Sequence, residues 1–108
     1  SVLNEHIAQI LGDIGEKSNE VIESVHEVTE SLINTLKTSY PEKTIAALVK
    51  LGNRHANLVI PRLLSLLDYN DISLGDNAIQ TLVKVEIPDN LIKTVLAELI
   101  KVLSKPYP

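Results

Sequence analysis

The chain has 108 residues, 44% of them hydrophobic and 22% charged, with a formal net charge of −4. These totals support one small domain with an aliphatic core, because Phe, Trp, Met and Cys are all absent. Without cysteine there is no disulfide and no thiolate metal site. Three tyrosines offer few stacking platforms for single-stranded nucleic acid, and no apolar run nears the ~18 residues of a membrane span.

The first predicted helix, about Val2 to Ile14, is expected to stop at Gly15, where glycine can take the left-handed conformation of a helix end. Ser18 and Asn19 are candidate caps for the second, which runs to about Thr38 with Glu20 near its positive end. Ser39-Tyr40-Pro41-Glu42 has the form of a capping box with proline in the first turn. The third helix then reaches Leu51 and breaks at Gly52. Asn57 is the expected cap of the fourth, placing Pro61 in its first turn, where a missing N–H costs least. Ser73-Leu74-Gly75-Asp76 is a weaker start signal for the fifth, and Pro88-Asp89-Asn90 separates it from the sixth, which ends before Pro106. No segment sustains the two-residue alternation of a strand.

These elements repeat. LGDIGEKSNEVIESV from Leu11, LVKLGNRHANLVIPRL from Leu48 and LVKVEIPDNLIKTVL from Leu82 align, each with a helical run, a polar break and a second apolar run. The pairs that open the second runs are Val21-Ile22, Leu58-Val59 and Leu91-Ile92, spaced 37 and then 33 residues apart. Two helices per unit at that period is the mark of an α-solenoid of helical hairpins. The expected fold is therefore all-α: six helices in about three hairpins, approximately 1–38, 39–69 and 70–104.

Two helices have legible faces. On the second, Val21, Ile22, Val25, Val28, Leu32 and Leu36 share one arc. Glu16, Glu20, Glu23, Glu27 and Glu30 recur opposite it, an acidic stripe with almost no lysine. That stripe reads either as a solvated outer face or as a docking surface for a basic partner, since clustered charge steers association. The sixth helix is apolar around more than half its circumference, from Leu91 and Ile92 through Val95, Leu96 and Leu99 to Leu103. A helix of that kind is usually covered on two sides, by more chain beyond Pro108 or by another subunit. The start at Ser1, without methionine, fits a piece of a longer protein.

Chemistry is harder to find. Arg54-His55 sits beside Gly52 between two aliphatic runs, and is the one pair that looks like a base, a ligand or a phosphate clamp. A catalytic histidine needs an orienting partner and a substrate group, and no nucleophile motif or glycine-rich phosphate loop accompanies this one. The corner reading has Asn53, Arg54 and His55 satisfying the last carbonyls of the third helix, with a partner-facing contact as the alternative. His6, His26 and His55 lack ligand spacing, and His26 is better placed to pair with Glu23 or Glu30. Asp68-Tyr69-Asn70-Asp71 lacks the spacing of a calcium loop. No cofactor, metal or catalytic residue is assigned. Residues 1–40 hold seven acids and two bases, and 41–108 hold seven acids and eight bases, so neither part is a basic nucleic-acid surface.

One resemblance is specific. Glu23 to Leu67 resembles part of the helical-repeat region of the Integrator subunit four family. It carries a histidine-bearing helix (His26), a Tyr40-Pro41 turn, the run Leu51-Gly52-Asn53-Arg54-His55, and Leu58-Val59-Ile60-Pro61. Elsewhere only the generic HEAT-type pattern matches. The resemblance implies a nuclear, non-enzymatic scaffold that supports RNA 3′-end processing, whose zinc chemistry belongs to partner subunits. Expected partners are then other proteins, subunits of an RNA-processing complex among them, with no direct nucleic acid and no membrane. The alternative is a general adaptor or transport-type solenoid whose acidic stripe captures basic segments.

Overall fold

The computed structural model describes residues 2–17, 22–38, 40–68 and 70–105, with the side chains of residues 22 and 23 excepted. They form six α-helices: α1 (Val2–Lys17), α2 (Ile22–Leu36), α3 (Glu42–Arg54), α4 (Ala56–Leu64), α5 (Ile72–Lys84) and α6 (Asp89–Ser104). No strand occurs among the described residues. The radius of gyration is 13.5 Å, as expected for a compact domain of about 100 residues.

The helices pack mainly on alternate neighbours. α3 lies along α1 and also touches α2; α5 lies against α3 and α4; α6 rests on α4. α5 and α6 stand further apart, with no Cα of one within 8 Å of the other. The core follows from the aliphatic faces: Leu32, Leu36, Leu48, Leu51, Ile60 and Leu63 are all essentially inaccessible. On α2 the buried arc includes Val25, Leu32 and Leu36, with Val28 packed against the core. It is wider than its apolar residues indicate, because Thr29 is fully buried as well. Its hydroxyl is satisfied by donating to the Val25 carbonyl at 2.8 Å. Val21 and the side chain of Ile22 lie outside the described residues.

Several predicted boundaries move, each for a physical reason. Gly15 does not end α1, and no glycine has a positive φ. It is buried beside Leu51 of α3. At Gly12 an added Cβ would sit 2.6 Å from the Ala47 Cα, so these glycines let two helix backbones approach rather than stop a helix. Gly52 does the same inside α3, which continues to Arg54, with Val85 covering it. α4 begins at Ala56 with His55 as its N-cap, so Asn57 is not the cap and Pro61 falls within the helix rather than in its first turn. The cap of α5 is Asp71, whose side chain accepts from the Leu74 amide at 3.1 Å, and Gly75 is helical. The proposed Ser18, Asn19 and Ser39 caps lie outside the described residues. Pro41 is the N-cap position of α3 and makes no side-chain capping bond.

Polar side chains tie helices distant in sequence together. Asn77 of α5 is buried and donates through Nδ2 to the Leu36 carbonyl at 2.8 Å, satisfying the end of α2. Asn53 Oδ1 accepts from the Glu86 amide at 2.7 Å. Asn90 Nδ2 donates to Asn57 Oδ1 at 2.8 Å.

Candidate protein-interaction surfaces

The 52–55 corner is structural in a way that differs from the expectation. His55 bonds through its backbone amide to the Leu51 carbonyl at 2.7 Å, which does finish α3. Its ring, however, reaches to α1, with Nε2 3.2 Å from the Gly15 carbonyl. A carbonyl only accepts, so Nε2 is the donor in this bond. Asn53 likewise serves the α5–α6 connection rather than its own helix. Arg54 is exposed and makes no ion pair among the described residues. The corner joins α1, α3 and the α5–α6 connection, and Arg54 is exposed there.

The acidic stripe is not one continuous face. Glu16 belongs to α1, not α2, where its charge adds to the Asp13 hydrogen bond that raises the Lys50 ammonium above its ordinary value. Glu20 and the side chain of Glu23 lie outside the described residues. Glu27 is exposed. Glu30 is taken by Arg62 of α4 in a two-pronged pair, 2.7 Å from Nε to Oε2 and 2.9 Å from Nη2 to Oε1. The Arg62 hydrogen bonds hold the Glu30 carboxyl below its ordinary range, against partial desolvation that pushes it up. Arg62 Nη1 also donates to Ser65 Oγ at 2.8 Å. Of the two expected partners of His26, Glu30 is hydrogen-bonded by the α4 guanidinium and feels His26 only through its charge, and the Glu23 side chain lies outside the described residues.

The same logic recurs on the other side. Lys50 of α3 pairs with Asp13 of α1, and the Lys50 hydrogen bond lowers the Asp13 carboxyl from its usual value. Lys37 pairs with Asp71 at 2.9 Å, so the cap of α5 is also bound to the end of α2. These ion pairs join α1 to α3, α2 to α4, and the end of α2 to the start of α5. No motif in the sequence announces Arg62, Lys50 or Asn77. Asn57 and Asn90 could have been found, because both immediately precede the apolar pair that marks the repeat.

Exposed apolar residues concentrate at the two ends of the bundle. α1 presents Leu3, Ile7, Ile10 and Ile14 to solvent, a stripe at helical spacing. α6 presents Ile92, Leu96, Ile100 and Leu103, the last 84% exposed, while Leu91 and Val95 are buried on α4. Because α5 and α6 stand apart, an apolar groove of about 510 Å³ opens between them, lined by Leu67, Ile72, Ile79, Leu99, Val102 and Leu103, with Asp68 and Asp76 at its margin. A second cleft of about 480 Å³, between the start of α1 and the end of α2, is polar and holds Asn4, Glu5, Asn34, Thr35 and Tyr40. Among the described residues no cluster of three His, Asp or Glu could hold a metal, and no helix is long and apolar enough to cross a membrane.

No protein-family model matches the chain, and comparison with curated proteins and with solved structures returned no match.

Proposed function

We propose that the chain is a non-catalytic protein-binding scaffold built as a segment of HEAT-type α-solenoid, with three hairpins stacked in register. The observation that carries this reading is the equivalence of cross-hairpin contacts. Gly15 receives Leu51, and Gly52 receives Val85, at matching positions of successive repeats. Asn57 bonds to Asn90, its own equivalent 33 residues on. Such nearest-neighbour stacking produces an extended surface whose work is geometric, holding partners in fixed relation.

Within that class the resemblance of residues 23–67 favours an Integrator-type scaffold acting in the nucleus on RNA 3′-end processing. Arg54, exposed at the junction of the hairpins, is the corner residue available to a partner. The adaptor reading loses part of its support, because Glu30 is already neutralised by Arg62 and Glu16 lies on another helix. The test is affinity capture from nuclear extract with the immobilised chain. Recovery of Integrator subunits, weakened by Arg54→Glu, is expected. Retention only of basic proteins, lost at raised salt, would move the assignment to the adaptor.

A further inference from the structure

The two uncovered ends are of opposite kinds, and the internal seams show how such ends meet. α3 seats on the first hairpin through Thr44, Ala47 and Leu51: the Thr44 hydroxyl lies 3.3 Å from that of Thr35, Ala47 meets Gly12, and Leu51 meets Gly15. α5 presents the aligned residues Ala78, Thr81 and Val85, the first two fully buried and the third against Gly52. The residues of α1 aligned with Thr44, Ala47 and Leu51 are Ile7, Ile10 and Ile14, which are the exposed stripe. α1 therefore displays a seating face with no described helix against it. At the far end, the α5–α6 groove aligns with the surface that receives α3 and then α5. Ile79 aligns with the buried Ala8 and Ile45, and Val83, 79% exposed, aligns with Gly12 and Val49.

We infer that the chain stacks head to tail on a second copy of itself, with α1 of one copy seated in the α5–α6 groove of the next. The inference rests on the stacked-hairpin reading above and adds the occupant of its open end. Three observations select a second copy. The first is continuity, since the incoming helix would take the place that α3 takes on α1 and that α5 takes on α3, although those two seams differ in extent. The second is size: the internal seams are filled by Ala, Thr and one larger residue, whereas α1 brings three isoleucines to a groove left about 510 Å³ wide by the separation of α5 and α6. The third is charge. Asp13, Lys50 and Lys84 occupy aligned positions, and Asp13 pairs with Lys50 across the first seam. Lys84 is exposed, with no ion pair among the described residues, and the next copy's Asp13 would fall beside it. Asp76 does not oppose seating: its aligned residues Glu5 and Glu42 keep solvent access beside the existing seams.

A contact between two different surfaces does not close at two copies, so it propagates. A helix seated in such a groove buries on the order of 1,000 Å² in total, the lower end of a specific interface, so association is weak and concentration-dependent.

Sedimentation velocity on the purified chain tests this without nuclear proteins, so its outcome is independent of the capture experiment. The wild type is expected to form an open series that grows with concentration. Ile10→Lys blocks the α1 face, and the pair Val83→Lys with Leu103→Lys blocks the groove; all three positions are more than half exposed, so folding, checked by circular dichroism, is retained. Each blocked chain should be monomeric alone, and a mixture of the two should form a dimer that goes no further. Lys84→Glu should weaken association by about two- to fivefold, while Lys43→Glu, exposed on α3, leaves it unchanged. A wild type that stays monomeric at its highest soluble concentration assigns the groove to another partner and overturns the inference. So does a closed dimer, or association that survives Ile10→Lys.

Discussion

The seam between α1 and α3 and the groove between α5 and α6 involve positions that align in the sequence, yet one is sealed and the other open. At the seam, Gly12 and Gly15 remove side chains so that Ala47 and Leu51 can reach the α1 backbone. At the groove, no described helix lies between the walls, and Ile72, Ile79 and Leu103 border empty space. The aligned positions carry different side-chain volumes because one set faces a neighbour and the other does not. Aliphatic residues alone therefore do not define the core; what matters is whether another helix is present to cover them.

The largest test of that contrast deletes leucine at both ends. Leu51→Ala removes a wholly buried side chain from the seam and should cost about 2–5 kcal/mol in urea unfolding. Leu103→Ala, at a position 84% exposed, should change stability by less than about 0.5 kcal/mol in dilute solution. Equal losses would mean that the groove is already filled.

Asn77→Ala comes next. It leaves the Leu36 carbonyl without the side-chain donor that now satisfies it in a buried setting, and should cost about 1–3 kcal/mol in the same assay. A neutral result would show that water replaces the amide and that the junction is wet.

Glycine substitutions should then differ in sign. Gly12→Ala places a Cβ 2.6 Å from the Ala47 Cα, where backbone must move, and should destabilise by about 1–3 kcal/mol. At Gly75 the nearest atoms to an added Cβ are 3.4 and 3.5 Å away, ordinary contacts. Gly75→Ala should stabilise by about 0.5–1 kcal/mol through helix propensity, raising the melting temperature. Two alanines of the same sign would erase the distinction between a sealed and an open helix face.

The smallest effect is electrostatic. Arg62 lowers the Glu30 carboxyl beneath its ordinary value of 4.5. A depressed carboxylate contributes stability above its unfolded pKa, and that contribution disappears as pH falls through the folded pKa. Both side chains are about one-third exposed, so screening keeps the pair to about 0.5–1 kcal/mol. The stability gap between wild type and Glu30→Gln should be constant above about pH 5 and close progressively below 4.5. A gap that persists in strong acid would assign the difference to packing instead.

Much of the chain was readable before any coordinates. Six helices, their order and the dry arc of α2 follow from local spacing, because a helix face is set by residues three and four apart. The apolar excess on α6 was equally plain, and Ile92, Leu96, Ile100 and Leu103 are its exposed part, of which Leu103 borders the groove. Misreadings fell where a residue's role depends on something distant in sequence. Gly15 and Gly52 look like helix stops until Leu51 and Val85 are brought over them. Five glutamates form one stripe on paper, but Glu16 turns with a different helix and Glu30 meets an arginine 32 residues away. Arg54-His55 looks like chemistry until the His55 ring is found on the Gly15 carbonyl of α1.

What the sequence determined by itself is the set of helices and the faces that avoid water, since both are short-range consequences of backbone hydrogen bonding and side-chain periodicity. Which faces are covered, which glutamate is neutralised and where the open groove lies were decided only by tertiary structure. Those outcomes depend on the distance and angle between helices, and no spacing along a single helix encodes them.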